Sequence, residues 1–104
     1  MSFNINEVLK GMSTALIETA AEQSADIRDY ADDILKKEKK SLAELAKARL
    51  KGTIDDKIFK REIAREKKVV EAELLTLKIM TKATAQKSIN AAIDVFVNAI
   101  KVLV

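Results

Sequence analysis

Glu38 and Glu66 have the type and spacing that could do chemistry in this 104-residue chain. If the chain folds back on itself near its middle, the two face each other, and a dimer would bring four carboxylates into one bundle. Helical bundles that hold paired iron use such glutamates together with histidine from Glu-x-x-His. This chain has no His and no Cys, so thiolate and imidazole ligands and disulfides are ruled out. A metal site is therefore not expected, and Lys37, Lys40 or Arg65 are expected to neutralise the two glutamates. Covalent catalysis fares no better. A nucleophile needs a base held beside it, and Ser2, Ser13, Ser24, Ser41 and Ser88 stand at ordinary helix or cap positions. No Gly-rich loop is available to cradle a phosphate. We expect no enzyme activity, no cofactor and no small-molecule substrate.

The cations carry more information. Residues 36–68 contain 13 of the 19 Lys and Arg but 6 of the 16 Asp and Glu, a net of +7, and the remainder of the chain nets −4. Lys36, Lys37, Lys39, Lys40, Lys57, Lys60, Arg61, Arg65 and Lys68 form the candidate docking set. Cations gathered on adjacent helices could hold phosphates and release the counterions condensed on a nucleic acid. The plainer reading is a solvated helix surface paired with Asp32, Asp33, Glu62 and Glu66. Asp32–Lys36 and Asp33–Lys37 have the favourable acid-first spacing of four. For base stacking, only Phe59 is interleaved, and the core has the stronger claim on it.

Helices must position these groups. Proline is absent, glycine occurs only at Gly11 and Gly52, and Ala, Glu, Lys and Leu dominate, all of which favours an all-α chain. Apolar residues from Ile5 to Leu45 recur in series of 11, about 3.67 residues per turn, as a nearly straight helix requires. We expect a first helix over about 4–51, started by Asn4 or Asn6, with weak points at Gly11 and Gln23–Ser24. Lys47, Arg49 and Lys51 suit its negative end, and Gly52 can take the left-handed position beyond it. Thr53 would cap a second helix over about 54–103, with Asp55 and Asp56 in its first turn. The expected domain is thus a single antiparallel helical hairpin over 1–104, bent at Gly52–Thr53, with a positive tip and arms of about 70 Å at about 1.5 Å per residue.

Folding about Gly52 pairs positions whose numbers sum to about 104, so that apolar meets apolar along most of the seam and Glu38 meets Glu66. The expected core and oligomer contacts are Ile27, Ile34, Leu42, Leu45, Phe59, Ile63, Leu74, Leu75, Leu77, Ile79 and Phe96. The second helix also carries Val69, Ala72, Ile93, Val97, Ile100 and Val104, more apolar surface than one partner helix can cover. A second hairpin would bury it in a coiled-coil-like four-helix bundle. A homo-oligomer, with a dimer favoured, is the first expectation. A first arm that bends at Gly11 or Ser24 would instead give a monomeric bundle.

Nothing at the N-terminus resembles a signal peptide. The most apolar stretch, Ile89–Val104, is broken by Asn90, Asp94, Asn98 and Lys101 and is too short and polar to span a bilayer. A cytoplasmic location is expected. In outline the hairpin resembles the W-x-G helical hairpins exported by type VII secretion systems. Leu50-Lys51-Gly52 stands at the place of that motif, with Leu50 in place of tryptophan and without the C-terminal Tyr-x-x-x-Asp/Glu signal. The expected function is a self-associating helical structural or protein-interaction module, with a protein partner at the basic tip. The alternative is a nucleic-acid-binding protein that contacts phosphates, and the third reading is an exported hairpin or a peripheral membrane protein.

Overall fold

The computed structural model describes residues 3–23 and 25–104; Met1, Ser2 and Ser24 lie outside them. Five α-helices follow one another: α1 (Ile5–Ala20), α2 (Ala31–Lys37), α3 (Lys39–Leu50), α4 (Asp56–Thr76) and α5 (Lys82–Lys101). A 3₁₀ turn, Ala25–Asp29, precedes α2. No strand occurs among the described residues, so the all-α expectation holds.

Each main start has a local cause. The Asn4 side chain accepts from the backbone N–H groups of Asn6 and Glu7, at 3.0 and 3.2 Å, and caps α1. Asp55 accepts from the N–H of Ile58 at 2.8 Å and caps α4. Thr53, the expected cap, instead helps to close the preceding helix. Its N–H bonds Ala48 O (2.9 Å) while that of Gly52 bonds Arg49 O (3.2 Å). Together with a Gly52 φ of +76°, these bonds close the end of α3 in a Schellman turn. The hydroxyl of Thr81 accepts from Thr84 N–H at 3.2 Å and starts α5.

The long straight arms are corrected. The first is interrupted after Ala20 and again at Glu38, and the second between Leu77 and Thr81. The molecule measures 39 × 24 × 19 Å, far short of an arm of about 70 Å at about 1.5 Å per residue. Folding back at these bends covers part of the apolar flank that a straight hairpin leaves wet. α1 doubles back against α2, and α4 against α5, while α1 lies along α5 in the most extensive helix pair. Cross-chain neighbours still fall near the expected register: Gly11 lies against Val95, Gln23 bonds Thr81, and Ser41 bonds Glu66.

One core results. Leu9, Met12, Leu16 and Ala20 of α1 pack with Ala85, Ile89, Ala92, Ile93, Phe96 and Ile100 of α5. Ile27, Ala31, Ile34, Leu35, Leu42 and Ala46 join from the 3₁₀ turn, α2 and α3, and Phe59, Ile63, Val70 and Leu74 from α4. Phe96 sits at its centre with no exposed surface, edge-on to Phe3 (6.0 Å between ring centres) and stacked on Phe59 (6.4 Å). Of the expected core set, Ile27, Ile34, Leu42, Phe59, Ile63, Leu74 and Phe96 are buried, and Leu45, Leu75, Leu77 and Ile79 are half-buried against them. Of the residues assigned from the sequence to a second copy, Ile93 and Ile100 lie inside this chain's own core, Val97 is half-buried, and Val69, Ala72 and Val104 stay exposed.

Candidate functional site

The basic face is a by-product of how the second half of the chain buries its apolar stripe. On α4 the inward positions are Phe59, Ile63, Glu66, Val70 and Leu74, spaced by three or four residues as one helix face requires. On α3 they are Leu42 and Ala46. Every other register position is free to be charged, and the sequence fills many of them with Lys and Arg.

All nine candidate cations are exposed: Lys36 and Lys37 in the last turn of α2, Lys39 and Lys40 in the first turn of α3, and Lys57, Lys60, Arg61, Arg65 and Lys68 on α4. The end of α2, the start of α3 and α4 as far as Lys68 carry the set. Three of the nine are paired: Lys37 with Glu73 at 3.3 Å, Lys60 with Asp56 at 3.1 Å and Arg65 with Glu62 at 3.5 Å. The other six make no ion pair among the described residues. Exposed pairs of this kind contribute about 0–1 kcal/mol each, so the face stays available to a partner.

The pairing departs from the sequence reading in an informative way. Asp32 does not pair with Lys36; its Oδ1 accepts from Ser13 Oγ at 2.5 Å and ties α2 to α1. Lys37 reaches across to Glu73 on α4 instead of back to Asp33. In both cases a group on another rod has taken the bond that a lone helix would make locally.

Glu38 and Glu66 do meet. Glu66 is buried in the middle of α4 and its Oε1 accepts a short hydrogen bond from Ser41 Oγ. Burial, together with repulsion from Glu66, a hydrogen bond to Glu66 and repulsion from Glu73, raises the Glu38 pKa above its ordinary value, and Lys37 opposes the shift. Arg65, expected as a neutralising partner, pairs with Glu62. Among the described residues, no group of three or more acidic side chains is placed to hold a metal ion.

The serine hydroxyls are engaged structurally: Ser13 and Ser41 donate to carboxylates, and Ser88 donates to the backbone oxygen of Thr84 at 2.7 Å. Ser2 and Ser24 lie outside the described residues.

Sequence reasoning missed a groove of about 370 Å³ where α4 meets the end of α5. Arg49, Lys60 and Lys101 line it together with Phe59, Val97 and Ile100. Lys101 joins this cluster only because α5 folds back on α4, and no local pattern near residue 78 announces that bend. No helix of the described residues is long and apolar enough to cross a membrane. Comparisons with protein families, with characterised proteins and with solved structures gave no match.

Proposed function

We propose that this protein is a helical interaction module without catalytic activity, and that its docking surface is the basic flank made by the end of α2, α3 and α4. One observation carries this reading: six of the nine exposed cations there lack an ion-pair partner among the described residues, while the apolar stripe beneath them belongs to the chain's own core. A surface of that kind fits an acidic protein segment whose apolar residues can enter the groove lined by Phe59, Val97 and Ile100. Self-association remains part of the proposal on different grounds from those the sequence suggested. Ile93 and Ile100 are already covered by the chain itself, which leaves Val69, Ala72 and Val104 as the exposed apolar part of that surface. A dimer would instead set the basic flank of one protomer against exposed acids such as Glu18, Glu22, Asp26, Asp29 and Asp33 of its partner. Such contacts weaken with salt.

Phosphate binding is the second reading, favoured by the same unpaired cations. A pair of binding curves separates the two. Fluorescence anisotropy would follow a labelled poly-glutamate peptide and a labelled duplex oligonucleotide at about 50 and about 200 mM salt, the range over which phosphate contacts are lost. The module reading expects the acidic peptide to bind, with affinity reduced at least about tenfold, or about 1.4 kcal/mol, in Lys39/Lys40/Arg61/Arg65→Glu. Duplex binding that is tighter than peptide binding and falls steeply with salt would promote the second reading. If the variant binds both probes like the wild type, the basic flank is not the docking surface. Light scattering on the same samples reads the mass, and a dimer that persists unchanged at high salt would overturn the charge-paired association.

A further inference from the structure

Glu66 presents a problem that the docking reading leaves untouched. Its side chain is 8% exposed, yet it lies on the inward stripe of α4 between Ile63 and Val70. Ser41 satisfies Oε1, but Oε2 is buried and has no hydrogen-bond partner among the described residues. A buried carboxylate oxygen left bare is costly, and the ordinary remedies are a cation, a donor or a proton. Among the described residues no cation pairs with it: Lys37 is bound to Glu73, and Arg65 to Glu62. The group that does act on it is another acid, Glu38, three residues before the Ser41 that bonds Glu66.

The position of Glu38 gives the contact its consequence. It is the single residue between α2 and α3, with φ −97° and ψ 2°, outside regular helical geometry. Its N–H bonds Leu35 O, and its carbonyl accepts from Leu42 N–H, so both helices hinge on it. The charged groups acting on it are Glu66 and Glu73 from α4 and Lys37 from α2, and α3 contributes the uncharged hydroxyl of Ser41.

We propose that Glu38 keeps a proton and donates it to the bare oxygen of Glu66, and that this hydrogen bond latches the α2–α3 joint onto α4. With the proton present, one carboxyl donates to the other, and the bare oxygen of Glu66 gains its partner. When the proton leaves to solvent, two carboxylates confront each other at a helix break and push the joint away from α4. Lys36, Lys37, Lys39 and Lys40 flank that joint, so its opening also rearranges part of the basic flank. The latch does not depend on what that flank binds.

The sign follows from linkage. The Glu38 pKa is raised on folding, so between its unfolded and folded values the native state holds more protons than the unfolded chain. The latch's contribution is therefore fully present below the unfolded value, near 4.5, and is lost as pH rises through the folded one. Lowering the pH from 8 toward that window should raise the melting temperature of the wild type.

Glu38→Gln and Glu66→Gln test this, because an amide can donate where the Glu38 proton did at any pH. Each should melt a few degrees above the wild type at pH 8, and the gap should close toward mild acid. Helicity by circular dichroism should be unchanged. Variants that run parallel to the wild type across the whole range would overturn the latch. If either variant fails to fold, carboxyl carbon NMR on the wild type decides: a Glu38 carboxyl that titrates above the ordinary glutamate range supports the latch, and one that titrates within it rejects the latch. Calcium, magnesium and manganese added at pH 8 supply the control. A wild-type stabilisation by one of them that Glu66→Gln abolishes would mean the site takes a metal and not a proton.

Discussion

The two bends that shape the second half of the chain do the same job by different means. At Gly52 the chain leaves α3 through a glycine at φ +76°, with both bonds of a Schellman turn made and Asp55 capping the next helix. At Lys78 it leaves α4 through a lysine at φ +56°; Lys78 N–H bonds Leu75 O at 3.1 Å, and the cap of the following helix is Thr81. The first bend is written in its own residues. The second is imposed from a distance: Gln23, 58 positions earlier, accepts from both the N–H and the hydroxyl of Thr81, and Ile79 and Met80 pack on the core. A left-handed lysine is unfavourable by itself, so tertiary contacts must hold it there.

That contrast is open to attack first at the core. If the Lys78 bend is maintained by what α5 buries, removing the largest buried side chain of α5 should weaken it most. Phe96→Ala deletes a ring with no exposed surface and its contacts with Phe3 and Phe59. We expect a loss of about 4 kcal/mol by urea denaturation, in the range typical of buried Phe→Ala changes. A loss below about 1 kcal/mol, the scale of a surface change, would mean that α5 is held by something other than its core face.

The Gly52 bend should break locally. A Cβ built there meets nothing within 4 Å, so space is not the obstacle. The obstacle is the positive φ, which a β-branched residue resists. Gly52→Val should therefore cost about 2 kcal/mol, and Gly52→Ala less, with the rest of the fold intact. Equal melting of wild type and valine variant would show that the turn relaxes without a left-handed residue. At the second bend, Thr81→Ala removes both the cap of α5 and one of the two bonds to Gln23. The expected loss is about 1 kcal/mol. Amide exchange should show it as fraying at Lys82–Thr84, and unchanged protection there would mean that Thr81 does not hold the start of α5.

The same difference explains what could be read from the residues alone. The turn at Gly52, the helical class, the inward positions from Ile27 to Phe96 and the meeting of Glu38 with Glu66 all follow from local punctuation plus register. The bend at Lys78 does not: Leu77-Lys78-Ile79-Met80-Thr81 has no Gly or Pro, and apolar positions continue through it in phase. Periodicity reports which side of a segment faces the core, not whether the backbone runs straight. Ile27 shows this in the first arm, since it keeps its place in the 11-residue series and is fully buried, yet lies in a 3₁₀ turn. The surplus apolar flank of the second arm was a real signal. It has two physical solutions, a second copy or a fold-back, and composition does not choose between them. The cations were legible as exposed residues, but the groove was not, because Lys101 joins Arg49 and Lys60 only through the second bend.

The smallest effect is the sharpest test of the comparison. If Lys78 is held in the left-handed region against its own preference, replacing it with the residue that Gly52 already has should help. Lys78→Gly relieves about 1 kcal/mol of backbone strain. Against this stands the greater freedom of glycine in the unfolded chain, a cost of about 0.4–1 kcal/mol. The balance is a gain of up to about 0.5 kcal/mol in urea denaturation, while the same glycine on the helical side of the bend, as Leu74→Gly, would be strongly destabilising because it also empties a buried position. A clear loss at Lys78 would mean that its side chain makes a contribution exceeding its strain, and the second bend would then be locally encoded after all. A gain would confirm that this turn is shaped by the core and by Gln23, with the residue at its apex merely tolerated.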